Sequence, residues 1–153
     1  MTSRTDEEAE VFGRLFVLGQ HLTRRADEAL RPLGLTSKQW LLLAVLVKGF
    51  PGAAPTLTET AAAYGTSRQN VKQVALQLAD RGLVELVADP QDGRATRLAL
   101  LPRVAMLDEP AVAERHAGLL RDMFSVLDDA ELATLTSMVG RCIDHLAGTE
   151  VAR

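Results

Sequence analysis

Within seven positions, residues 67 to 73, the chain sets five side chains able to hydrogen-bond base edges: Ser67, Arg68, Gln69, Asn70 and Gln73, with Lys72 among them. Arginine can bond guanine at two points, and glutamine or asparagine can do the same for adenine. If these residues open a helix, they occupy the part that reaches bases when a helix enters a major groove. The free N–H groups there also favour phosphate. The same composition would equally suit a polar helix face that meets only solvent. A second constellation follows at Asp92-Gly93-Arg94, with Arg97 close by. A carboxylate two residues before an arginine can pair with the guanidinium and hold it in one direction, which suits bidentate contacts and narrow minor grooves. The plain alternative is a surface ion pair worth about 0–1 kcal/mol. Asp92, Arg94 and Arg97 are the candidate contacts of this segment.

Other reactive residue types do not gather. His21, His116 and His145 are scattered, and no His, Cys or Glu group has metal-ligand spacing, so neither a metal nor a cofactor is expected. The single cysteine, Cys142, cannot make an internal disulfide. It falls on an apolar seam, where an inert buried thiol is expected rather than an accessible, electropositive redox site. Glycine-rich phosphate loops, Gly-x-Ser-x-Gly and paired carboxylates are missing, so the chain is read as a non-enzyme. His21 and Trp40 could line an effector pocket between the first two helices. Trp40 is explained as well by a place in the core, with its indole N–H bonded nearby.

The elements that must position these residues follow from periodicity. A wide apolar stripe runs through Phe12, Leu15, Phe16, Leu18, Leu22, Ala26 and Leu30, predicting a helix from about Glu7 that Pro32 and Gly34 end. Thr36 then caps a helix apolar on every side, from Trp40 to Val47, which the Gly49–Pro55 run breaks. A short helix over Thr58–Tyr64 closes at Gly65. The next starts at Thr66 or Ser67 and stops at Gly82, burying Val71, Val74, Ala75 and Leu78. Leu76 falls on its polar side, which packing against a neighbouring element would explain. The period then changes to two. Val84 and Leu86 alternate on one strand and Leu98 and Leu100 on another, about an Asp89–Gly93 turn. A helix over about Ala111–Val126 follows. Asp128 with Glu131 then signals the cap of a last one, whose Leu132, Leu135, Val139, Cys142 and Leu146 form a heptad-like seam.

The order is therefore α-α-α-α-β-β-α-α, mainly helical with a two-stranded β wing: a winged helix-turn-helix. Its 153 residues fit one structural unit, read as an N-terminal dimerisation helix (1–34), a winged lobe (35–102) and C-terminal dimerisation helices (103–153). With 47% apolar, 24% charged and only 4% aromatic residues, the chain is an ordinary folded one whose core is built from Leu, Val and Ala. No apolar start follows a basic one, and no apolar stretch reaches about 18 residues, so a cytoplasmic protein without a membrane partner is expected. The net charge of −3 conceals an asymmetry: residues 64–103 carry six basic and four acidic side chains, residues 104–153 four and nine. A basic middle is compatible with local phosphate contact.

Taken together, Leu35-Thr36-Ser37-Lys38-Gln39-Trp40, Leu57-Thr58-Glu59-Thr60-Ala61, Ser67-Arg68-Gln69-Asn70-Val71-Lys72-Gln73, Leu78-Ala79-Asp80-Arg81-Gly82-Leu83-Val84 and Asp89-Pro90-Gln91-Asp92-Gly93-Arg94 resemble the MarR family of bacterial transcriptional regulators. The resemblance follows residues 10–148 in element order. It implies an intertwined homodimer whose two winged lobes read a pseudo-palindromic double-stranded DNA operator. It further implies that Ser67, Arg68, Gln69, Asn70 and Lys72 lie on the recognition helix, and that Arg94 is the wing-tip arginine held by Asp92. A repressor released by a small aromatic or anionic effector is the expected function. The chain departs from the family pattern after the wing, with Leu100-Leu101-Pro102-Arg103-Val104 where Leu-Thr-Pro and a glycine are usual. The alternative from another class is a ligand-binding or protein-interaction protein that keeps the fold with little DNA affinity, which the acidic last third favours.

Overall fold

Caps decide where most of these helices begin. The computed structural model describes residues 2–151, with side chains through residue 148. The first helix, α1, spans Arg4–Leu30, three residues earlier than the apolar stripe predicts. Ser3 Oγ accepts the Asp6 N–H (3.2 Å) while Asp6 returns a carboxylate oxygen to the Ser3 N–H (3.0 Å), a reciprocal cap invisible to hydrophobic periodicity. A 3-10 turn, Arg31–Leu33, and Gly34 at φ 65° close it. The remaining elements are α2 (Ser37–Gly49), α3 (Leu57–Tyr64), α4 (Arg68–Asp80), β1 (Val84–Ala88), β2 (Thr96–Leu100), a 3-10 segment (Pro102–Asp108), α5 (Pro110–Phe124) and α6 (Asp129–Val151). The chain is mainly helical with one two-stranded antiparallel sheet, a winged helix.

Two compact units are distinguished, Met1–Ser37 and Lys38–Arg153. In the first, α1 leaves its apolar side open: Phe12 and Phe16, whose rings lie 4.8 Å apart, are 65% and 64% exposed. Leu22, Ala26 and Leu30 are half-buried. Asp27 Oδ1 accepts the Ser37 N–H at 2.6 Å, tying the helix to the turn that leaves it.

The second unit holds a continuous core. Leu42, Leu43 and Leu46 of α2 are fully buried together with Leu57, Thr60 and Ala61 of α3 and Val71, Val74, Ala75 and Leu78 of α4. Leu83, Val84 and Leu98 close it from the sheet side. Thr60, a buried polar residue of this core, gives its hydroxyl to the Thr56 carbonyl at 2.8 Å. α3 starts one residue before Thr58, because Thr56 and Glu59 cap each other reciprocally. Gly82, at φ 70°, ends α4: its N–H reaches Ala79 O and the Leu83 N–H reaches Leu78 O, a paired closure that needs a left-handed residue. The sheet register pairs Val84 with Leu100 and Leu86 with Leu98. Asp128 and Glu131 cap α6 as the spacing predicts, at 2.8 and 3.0 Å.

Two expectations change. Leu76 is 47% exposed on the outward face of α4 rather than covered by a neighbouring element. Cys142 is exposed, because no element of its own unit covers that side of α6 among the described residues. Met138 and Ile143 share that exposure, at 55% and 56%. The Gly49–Pro55 link is tied down at its far end. Its last residues join the wing, with Thr56 bridging Arg97 and Pro55 O accepting the Leu98 N–H at 2.8 Å.

Candidate nucleic-acid interface

The four buried positions of α4 recur at helical spacing and pin one face to the core, which turns the opposite face outward. Ser67, Arg68, Gln69, Lys72 and Gln73 are all exposed on it, with Leu76 in their midst. Ser67 is the N-cap, its Oγ accepting the Asn70 N–H at 3.2 Å. Asn70 is half-buried and gives its side-chain amide to Thr66 Oγ1 at 2.9 Å, so its first task is to fix the turn into α4. Buried Gln39 of α2 donates from Nε2 to Gln77 Oε1 at 3.0 Å, a tie between α2 and α4. The helix is thus held rigidly while its polar side chains project free.

The wing carries three charged residues of interest, and the structure gives them different partners from those the spacing suggests. Asp92 Oδ1 accepts the backbone N–H of Arg94 at 3.0 Å. The carboxylate therefore shapes the turn, and the Arg94 guanidinium has no protein partner among the described residues. Arg97 is the engaged arginine: its Nε reaches Asp89 Oδ2 at 2.7 Å and its Nη1 reaches Ala54 O at 2.8 Å. It braces the two strands against the end of the Gly49–Pro55 link. Asp89 also accepts the Gln91 N–H at 2.8 Å. That bond, seconded by the Arg97 guanidinium, holds its carboxyl below the usual range. Glu59 is lowered likewise, first by the Thr56 backbone N–H and then by the Thr56 hydroxyl.

Between the start of α4 and the wing tip lies a cleft of about 260 Å³ that contains both Arg68 and Arg94. Thr56 and Thr58, from the beginning of α3, line it too. The periodicity of α3 gave no hint of them; the Thr56-x-x-Glu59 capping signature is the signal that places them.

The proposed effector residues sit in separate units. His21 is exposed on α1 beside Val17 and Leu18. Trp40 is half-buried on α2, its ring 5.1 Å from that of His116 on α5 and tilted by 57°. Among the described residues no group of His, Cys, Asp and Glu could hold a metal ion, and no helix is long and apolar enough to cross a membrane.

Residues 33–95, the span of the recognition helix and most of the wing, match the MarR family profile. Rv2011c, an uncharacterized protein of Mycobacterium tuberculosis, is 29% identical over 139 residues, covering 91% of this chain and 94% of its own. The PcaV transcriptional regulator of Streptomyces coelicolor, solved with its natural ligand, shares 25% identity and a TM-score of 0.66 over 83% of this chain and 89% of that one. A MarR variant from E. coli, solved with operator DNA, shares 19% identity and a TM-score of 0.71 over 92% and 99% of the two chains. The profile match covers the winged lobe, and the fold is similar along nearly the whole chain to that of solved MarR-family regulators.

Proposed function

We propose that the protein is a homodimeric transcriptional regulator that binds a pseudo-palindromic double-stranded DNA operator, represses from it, and is released by a small aromatic or anionic compound. The observation that carries this reading is the outward face of α4: Arg68, Gln69, Lys72 and Gln73 stand exposed on a helix whose other side is locked in the core, next to a wing whose tip arginine is unengaged. Ser67 and Asn70 position the helix start, and Arg94 is the wing contact. Arg97 supports the wing from behind. The operator DNA bound by the E. coli relative and the natural ligand of PcaV support the DNA and effector parts. The dimer is supported by the large apolar side chains that α1 and α6 each leave exposed.

Selection from random duplexes tests the reading. The expected product is an inverted repeat with half-site centres about 10 bp apart, bound with a steep inverse dependence on salt. An asymmetric site, or no enrichment, would overturn it. Removing the gene should raise transcription from promoters carrying the selected repeat. Aromatic carboxylates added to the complex should release the duplex, and failure across such a set removes the effector clause.

A further inference from the structure

Arg68 and Arg94 come from different elements, one opening α4 and one at the wing tip, yet they line the same cleft. Neither guanidinium has a hydrogen-bond or ion-pair partner among the described residues, so two like charges line one space with neither of them paired. Asp92 lines the cleft as well, but its Oδ1 is held by the Arg94 backbone N–H. The three charged side chains leave a net +1 there. Thr58 and Thr96 add hydroxyls, whereas the Thr56 hydroxyl is already occupied by the Glu59 N–H at 3.1 Å. At about 260 Å³ the space exceeds several water molecules of about 30 Å³ each. A tetrahedral oxyanion contacted by two guanidinium groups is the ligand chemistry this matches.

The geometry points to a single phosphate seated in this cleft and held by Arg68 and Arg94 together, a phosphate of the DNA backbone rather than separate targets for the two arginines. This rests on the DNA-binding reading above and sharpens it. Arg68 then acts on the backbone, base discrimination falls to Gln69, Lys72 and Gln73, and helix and wing become energetically coupled through one group.

A double-mutant cycle on the selected duplex tests the coupling. Arg68→Ala and Arg94→Ala should each weaken binding about 10- to 100-fold, and the double variant little more than the worse single one. Duplexes carrying a neutral methylphosphonate at successive backbone positions should show one position per half-site where both arginine variants lose their effect. Thermal melts should leave the exposed-site variants as stable as the wild type, and Arg→Lys at either position should restore only part of the affinity. Losses that multiply in the double variant, or arginines silenced at different backbone positions, would overturn the inference while the regulator reading stands. Inorganic phosphate titrated onto the DNA-free protein provides the other arm. Weak binding lost in both variants is expected. Tight binding with a flat methylphosphonate scan would assign the cleft to a free anion and overturn the DNA phosphate. If the wild type binds no duplex at all, the regulator reading fails and takes this inference with it.

Discussion

At the scale of single residues, Asp92 shows how a short motif can be legible and still change meaning. Its spacing from Arg94 points to a side-chain pair, but the carboxylate takes the backbone N–H instead, at 3.0 Å. It therefore has two opposed effects on an anion in the cleft: it fixes the turn and repels the ligand. Asp92→Asn keeps an acceptor and removes the charge. It should tighten duplex binding on the order of fivefold, the weight of about 1 kcal/mol between charges about 4 Å apart in water. Asp92→Ala should bind less tightly than Asp92→Asn, because the turn loosens. Fluorescence anisotropy gives the order, and an alanine variant equal to the asparagine one would mean the turn contact is idle. Leu76 is the second case. Nothing in its own helix predicts a half-exposed leucine amid polar neighbours, yet an apolar side chain in a major groove can meet a thymine methyl. Leu76→Ala should change stability by no more than about 0.5 kcal/mol. Replacing operator thymines by uracil should weaken the wild type at one position and leave Leu76→Ala indifferent there.

At the scale of elements, what could be read from the sequence was what local periodicity and caps encode. The buried face of α4, the hairpin register and the Asp128–Glu131 cap all depend on residues near one another in the chain. The brace formed by Arg97 depends on Ala54, 43 residues away, and no local pattern carries that pairing. The start of α3 lay in between, since its capping signature is local but was outweighed by the alanine-rich run that follows. That cap leads to a prediction. Thr56→Ala removes the acceptor for the Glu59 N–H and should lower stability by about 1 kcal/mol. Glu59 and Asp89 both titrate below their ordinary values of 4.5 and 3.8 in the folded chain. Their contribution is therefore complete above those values and is lost as acid protonates them in the fold. Denaturation midpoints should fall as pH drops below about 4.5. Glu59→Gln should flatten the upper part of that fall, and a pH profile identical to the wild type would exclude Glu59 as a source.

At the scale of the whole molecule, the two terminal helices are the elements a single chain leaves unfinished. Phe12, Phe16 and Val17 on α1 and Met138, Ile143 and Leu146 on α6 are each more than half exposed. The seam through Val139 and Leu146 is exposed, and Cys142, expected to be shielded on it, is exposed as well. Sedimentation should show a dimer at micromolar concentration. Phe16→Asp or Ile143→Asp should shift it toward monomer and weaken duplex binding, since a two-fold site needs both lobes. A monomeric wild type would leave the exposed faces without an occupant.

The link between α2 and α3 has a further consequence for how the chain tolerates change in length. Its far end is stitched into the sheet through Pro55 and Thr56, while its near end turns on Gly52, at φ 70°, and the Ala53 N–H to Phe50 O contact. Residues added between Gly52 and Ala53 lengthen a surface excursion, and doubling such a loop costs only about 0.6 kcal/mol. One residue added between Pro55 and Thr56 would instead slide a strand partner off Arg97 and reverse which side of the sheet it faces. A two-residue Gly-Ser insertion at the first place should leave duplex affinity unchanged, and a single-residue insertion at the second should abolish it. Descendants of this sequence are thus free to drift in length on one side of Ala54 and are locked on the other.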